Sequence, residues 1–140
     1  MSRIILSTMG SLGDLHPKIA LGRELRRRGH EVVLSTWEGY RDKVMSNGLE
    51  FASLRPDVDV DDPEVHRRAL DARSGSEFIL RELVLPNIRN MYEDLLAACK
   101  GADLLISGEI VYVAKSVSEI SGIKWVSTSL APLTMFSSYD

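Results

Sequence analysis

The sequence predicts an α/β domain built on a doubly wound parallel sheet with strand order 3-2-1-4-5, and three observations carry that reading. Short apolar runs rich in β-branched residues recur along the chain, as in Ile4-Ile5-Leu6 and Val32-Val33-Leu34. Stretches of helical periodicity separate them, so that strand and helix alternate. Glycines stand where helices should stop, at Gly29, Gly48, Gly101 and Gly122, each supplying the left-handed residue that a helix end uses.

Ile4-Ile5-Leu6 runs through Ser7 and Thr8 as the first strand and enters a glycine-bounded turn, Gly10-Ser11-Leu12-Gly13-Asp14. The spacing then predicts a helix opened by Pro17, whose missing N–H has no partner to lose in a first turn, and closed by Gly29. His30 to Thr36 is the second strand. Glu38 to Asn47 is a short helix with Tyr40, Val44 and Met45 on one side, and Leu49 to Leu54 is the third strand. Arg55 to Asp62, acidic and flanked by prolines, reads as a surface loop, and Pro63 to Ala72 as a short helix. Gly75 to Cys99 has the periodicity of one long helix that Pro86 kinks or divides. Ala102 to Ser107 is the fourth strand, Val111 to Ser121 a helix, and Ile123 to Thr128 the fifth strand. Beyond Ser129 no period is evident, as expected of a loop that continues a larger architecture. The order 3-2-1-4-5 places a ligand crevice at the carboxyl ends of the first and fourth strands, between the turns at Gly10 to His16 and Gly108 to Ile110.

Composition narrows the function. The chain has 140 residues, 44% of them hydrophobic, enough for one domain with a core. A formal charge of −3 supplies no basic field for nucleic acid; the one basic run, Arg26-Arg27-Arg28, complements the negative end of a helix. Cys99 is a lone cysteine, and His16, His30 and His66 lack metal-ligand spacing, so neither a disulfide framework nor a metal site is expected. No apolar stretch reaches membrane-span length. A soluble cytoplasmic protein is expected, with peripheral contact to a membrane left open.

The turn after the first strand admits several chemistries. Gly10-x-x-Gly13 is neither G-x-G-x-x-G nor a P-loop, and Asp14 would repel a pyrophosphate at the helix start. A dinucleotide site would have to rely on Glu38 as its ribose-binding acid. Asp14 also fits a base that takes a proton from an attacking hydroxyl, or a turn residue whose oxygen accepts backbone N–H groups. His16 fits a second cleft residue or an exposed neighbour of the helix start. Glu109 fits a group that binds a substrate hydroxyl or orients His16, or an exposed turn acid. Trp37, at a strand's carboxyl end, fits a stacking platform for an apolar or sugar-like ligand, or simple packing; Trp125 fits packing.

The run Gly10-Ser11-Leu12-Gly13-Asp14-Leu15-His16-Pro17-Lys18-Ile19-Ala20-Leu21-Gly22-Arg23-Glu24-Leu25, followed by Arg28-Gly29-His30-Glu31-Val32, resembles the opening of the GT-B glycosyltransferases. The likeness is to the sterol, glycolipid and antibiotic enzymes that carry the glycosyltransferase family 28 N-terminal domain. It implies one domain over residues 1–140, the incomplete N-terminal half of a GT-B fold, with the donor-binding C-terminal domain absent. It further implies an inverting transfer of a hexosyl group from a nucleotide-sugar to a lipid or small-molecule hydroxyl, inactive without a donor-binding domain. Asp14 takes the position of the catalytic base. Ser11, Gly13, His16, Trp37 and Glu109 fall to acceptor binding, with Gly108-Glu109 standing where many relatives have an Asp. No cofactor or metal is implied beyond the nucleotide-sugar co-substrate. The partners it implies are the acceptor and a separate donor-binding subunit, and a bare sheet edge adds pairing with a second copy of the chain as an expectation. A non-catalytic binding module of the same fold, favoured by an exposed apolar face at Leu130 to Phe136, and a dinucleotide-binding protein are the alternatives.

Overall fold

Five apolar segments pair side by side, all parallel: β1 (Arg3–Ser7), β2 (Glu31–Thr36), β3 (Glu50–Ser53), β4 (Leu104–Gly108) and β5 (Lys124–Thr128). Their order in the sheet is β3-β2-β1-β4-β5, as the sequence predicts, in a computed structural model that describes residues 1–130. The expected loop and apolar face at Leu130 to Phe136 therefore lie outside the described residues from residue 131 onward. The register sets Ile5 beside Val33 on one side and Leu105 on the other. A strand flanked on both edges and covered on both faces needs apolar side chains at successive positions, which explains the unbroken Ile4-Ile5-Leu6.

Helix α1 (Leu12–Arg27) starts five residues before the proline predicted to open it. The reason is a capping box. Ser11 Oγ accepts from Gly13 N at 3.1 Å, and the Asp14 carboxylate accepts from Ser11 N at 2.8 Å, so helix starts at once after the turn. Pro17 is carried inside the helix, and the Gly13 carbonyl receives no donor four residues on. Gly29, at φ +88°, follows the helix end as expected. α1 lies close on the sheet because Gly22 has no side chain: a β-carbon there would stand 2.8 Å from Leu49 Cδ1 and 3.1 Å from Leu6 Cδ1.

The second predicted helix is a 3-10 turn, Glu38–Tyr40, running into α2 (Arg41–Ser46). The segment Arg55 to Asp62 is a loop, though more than a surface one. Val58 is buried, and Val60 packs where a β-carbon on Gly39 would stand 2.9 Å from Val60 Cγ2. Arg55 ties the loop down through a two-pronged pair with Asp94, with Nε to Oδ2 at 2.9 Å and Nη2 to Oδ1 at 2.7 Å. Asp62 then caps α3 (Pro63–Ala69), accepting from Glu64 N at 2.8 Å.

The long helix expected from Gly75 to Cys99 is four pieces: α4 (Gly75–Phe78), a π-helical stretch Ile79–Val84, a 3-10 turn Leu85–Asn87 and α5 (Ile88–Ala98). Pro86 sits in the 3-10 turn, and the wider π turn before it absorbs the change in hydrogen-bond pattern. α6 (Ala114–Ser121) joins β4 to β5. Val84, Met91 and Leu95 from the broken helix, and Val117 from α6, are fully buried in one core with Ile5, Leu6 and Leu34.

Gly75 fixes the approach of α4 to α3. A β-carbon there would lie 2.4 Å from the Ala69 carbonyl oxygen, and backbone cannot swing aside as a side chain does. Gly75→Ala should therefore cost about 1–3 kcal/mol of unfolding free energy, read as a lower urea midpoint at unchanged slope.

Candidate functional site

A cavity of about 240 Å³ opens at the carboxyl ends of β1 and β2. Its floor comes from the first turn, Met9, Gly10, Ser11 and Asp14, with Ile110 from the turn after β4. Trp37 and Tyr40, at the end of β2, form one side; Val58, Asp59 and Val60 of the loop form another. Helix α3 and the π-helical stretch close it with Val65, His66, Ile79, Leu83 and Val84 among others. The predicted crevice between the ends of β1 and β4 is thus displaced toward β2, because the loop and the broken helix fold over that side. The lining is almost wholly apolar, with Asp14, Tyr40, Asp59 and His66 as its ionisable members.

Asp14 is half-buried, and its two oxygens differ. Oδ2 accepts from Ser11 N at 2.8 Å and from Ser11 Oγ at 3.2 Å; Oδ1 has no hydrogen-bond partner among the described residues. The carboxylate is therefore both a helix cap and an open acceptor. Gly10 makes room for it: a β-carbon at that residue would lie 2.4 Å from Asp14 Oδ2, and its φ of +115° suits glycine. The Gly10 carbonyl is held in turn by Tyr40, whose hydroxyl donates to it at 3.0 Å. Trp37 stacks on Tyr40 with ring planes 15° apart and centroids 6.3 Å apart. Burial raises the Tyr40 hydroxyl above its ordinary value, and the carboxylates of Asp14 and Asp61 add to the rise.

Of the residues singled out in the sequence, Asp14, Ser11 and Trp37 line the cavity. Gly13 does not. Its N–H donates to Ser11 Oγ, so it serves the cap. His16 is exposed on α1 and is not in the lining. Glu109 is half-buried, also outside the lining, and its Oε1 accepts from Leu130 N at 2.8 Å. Glu38, the acid a dinucleotide site would need, is paired with Arg41.

Two residues escaped the sequence reading. Tyr40 was visible only as part of the apolar side of the short helix after the second strand. Lys18 lies four residues after Asp14, on the same side of α1, and is buried to 2% exposure. Its Nζ donates to Thr128 Oγ1 at 2.5 Å, and Thr128 Oγ1 donates to the Ser107 carbonyl at 2.8 Å, tying α1 to the ends of β4 and β5. Burial lowers the ammonium below the ordinary lysine value, while Asp14 and Glu109 act in the opposite direction. A lysine is seldom fully buried, so this one signals a requirement other than packing.

The family model described as "Glycosyltransferase family 28 N-terminal domain" matches residues 4–131. A sterol 3-beta-glucosyltransferase of Neurospora crassa is 30% identical over 141 residues, covering 98% of this chain and 9% of that protein. Another, from Eremothecium gossypii, is 33% identical over 138 residues, covering 94% of this chain and 11% of its own length. The O-mycaminosyltylonolide 6-deoxyallosyltransferase of Streptomyces fradiae is 53% identical over 57 residues, 41% of this chain and 14% of that protein. Among solved structures, the calicheamicin glycosyltransferase CalG4 superposes with a TM-score of 0.67 at 19% identity, covering 99% of this chain and 35% of that one. The Streptomyces glycosyltransferase SsfS6 gives 0.66 at 22% identity, covering 92% and 39%. The chain spans about a tenth of the length of the sterol enzymes it matches. Among the described residues no helix is long and apolar enough to cross a membrane.

Lys18 gives a signed pH dependence. A lysine whose folded value lies below its unfolded one makes the folded state bind fewer protons, so stability rises with pH from the folded value up to about 10.5. Lys18→Met keeps the stem and removes the charge. It should hold or raise the urea midpoint at pH 7 and flatten the alkaline rise, which unfolding curves across that range will show.

Proposed function

The chain belongs to the glycosyltransferase family 28 N-terminal domain family, and from that premise we propose that it is the acceptor-binding domain of an inverting glycosyltransferase. The observation that carries the reading is the Asp14 carboxylate, fixed by one oxygen and open at the other, on the floor of an apolar cavity. A rigid apolar alcohol fills the cavity with its hydroxyl at Asp14 Oδ1. Asp14 accepts the hydroxyl proton as the alcohol oxygen attacks the anomeric carbon of a nucleotide-sugar. The new C–O bond forms on one face of the sugar while the bond to the nucleoside diphosphate breaks on the other, so the anomeric configuration inverts. The proton ends on Asp14 and the electron pair of the broken bond on the diphosphate.

The sterol 3-beta-glucosyltransferases and the O-mycaminosyltylonolide 6-deoxyallosyltransferase among its relatives support an acceptor that is a lipid or a small molecule with a nucleophilic hydroxyl. The donor is assigned to a second domain or subunit, because the cavity is apolar and the acid at the helix start repels a phosphate. Positioning the two reactants supplies a large share of rate enhancement, about 7–11 kcal/mol at the upper end, so this domain acts only together with a donor-binding one.

Asp14→Asn preserves an oxygen for the cap and removes the base. In a two-domain enzyme carrying this chain, kcat should fall at least about 100-fold, with acceptor KM within a few-fold and the fold intact by circular dichroism. Unchanged turnover would overturn the assignment of Asp14.

A further inference from the structure

The peptide unit that joins Gly10 to Ser11 is gripped at both ends. Its carbonyl oxygen accepts from the Tyr40 hydroxyl at 3.0 Å, and its N–H donates to Asp14 Oδ2 at 2.8 Å. A trans peptide is planar, so its C=O and N–H point in opposite directions and can only turn together. Local sterics do little to fix that plane, because Gly10 has no β-carbon and stands at φ +115°. Its carbonyl also lies outside the ladder of α1, whose first bonds, from Asp14 N and Leu15 N, go to the Ser11 carbonyl. Tyr40 supplies the missing partner from another element, and it is itself well held. It is buried to 5% exposure, its ring stacks on Trp37, and its N–H donates to the Trp37 carbonyl at 3.0 Å.

We propose that Tyr40 is a positioning residue for the transfer, which holds the Asp14 carboxylate through the peptide between Gly10 and Ser11 and so decides which carboxylate oxygen meets the acceptor. The inference deepens the acceptor reading above and rests on it. While the peptide is held, the Ser11 N–H keeps Oδ2 and leaves Oδ1 for the acceptor hydroxyl. Once the peptide is released it turns at Gly10, the N–H leaves Oδ2, and the carboxylate is tethered only by the Ser11 hydroxyl at 3.2 Å. The bonds also strengthen one another, because a carbonyl that accepts a hydrogen bond makes the N–H of its own peptide a better donor. Tyr40 lines the cavity as well, so the ring that the acceptor packs against belongs to the residue that sets the base. A phenylalanine would make the same wall without the grip.

Tyr40→Phe removes the hydroxyl and keeps the ring. In the isotope-labelled chain, followed by nuclear magnetic resonance, the Ser11 amide should exchange with solvent at least about tenfold faster in the variant, while the strand amides keep their rates. An unchanged Ser11 amide overturns the proposal. In the two-domain enzyme carrying this chain, assayed with UDP-glucose and an androstane alcohol, kcat should fall about tenfold with acceptor KM within a few-fold. Placed on top of Asp14→Asn, the same change should cost no more than about twofold in kcat, because it acts only through that carboxylate. An equal fall in both backgrounds makes Tyr40 a packing residue and overturns the proposal. A strong Asp14→Asn effect beside a silent Tyr40→Phe overturns this inference alone, whereas unchanged turnover in Asp14→Asn overturns the assignment of the base and this inference with it.

Discussion

One hydrogen-bonded turn organises the working end of this domain. Ser11 and Asp14 exchange bonds at the start of α1, and Gly10 leaves the carboxylate the space in which to do so. A helix start has free N–H groups that must find partners, and here the partner is the side chain assigned to the chemistry. The side chain is consequently rigid before any ligand arrives. Holding a reacting group in place beforehand is how an active site avoids an entropic cost at the moment of reaction.

The cavity above that turn is made by parts of the chain that are poorly regular. Loop residues 55–62, the short helix α3 and the π-helical stretch each contribute a few side chains, and two tethers keep them in place. Arg55 grips Asp94 on α5, and its bond to Asp94 holds that carboxyl below the ordinary carboxylate range. Gly75 lets α4 press against the end of α3. On the opposite flank, Lys18 secures α1 to the ends of β4 and β5. The sheet supplies position, and these tethers supply shape.

Much of this was legible in the residues, and the division has physical causes. Strand order followed from the β-branched runs and glycine stops, because buried parallel strands must be apolar at every position. Asp14 stood out because a carboxylate directly after Gly13 has few roles to choose from. The location of the cavity was not legible, since it depends on where the segment from Arg55 to Asn87 folds. Val58 and Val60 do alternate with aspartates, the pattern of a strip with one face turned inward, but the acidic composition masked it. Pro17 misled in the other direction: local preference placed it at a helix start, and a capping box that opens six residues earlier, at Ser11, prevailed. Lys18 was hidden because a lysine in an amphipathic helix is ordinarily solvated.

The π-helical stretch has a consequence for how such a domain changes its ligand. Leu85 N–H bonds back to the Leu80 carbonyl, five residues away, so the turn holds one residue more than α-helical spacing accommodates. Deleting a single residue there would restore ordinary α-helical spacing while the turns on either side kept their orientation. The side chains that the widened turn presents to the cavity wall, Leu83 and Val84, would be reset, while the five strands and the carboxylate at their ends stayed where they are. Loss or gain of one codon in this turn would thus reshape the wall in a single evolutionary step, which exchanging one apolar side chain for another cannot do.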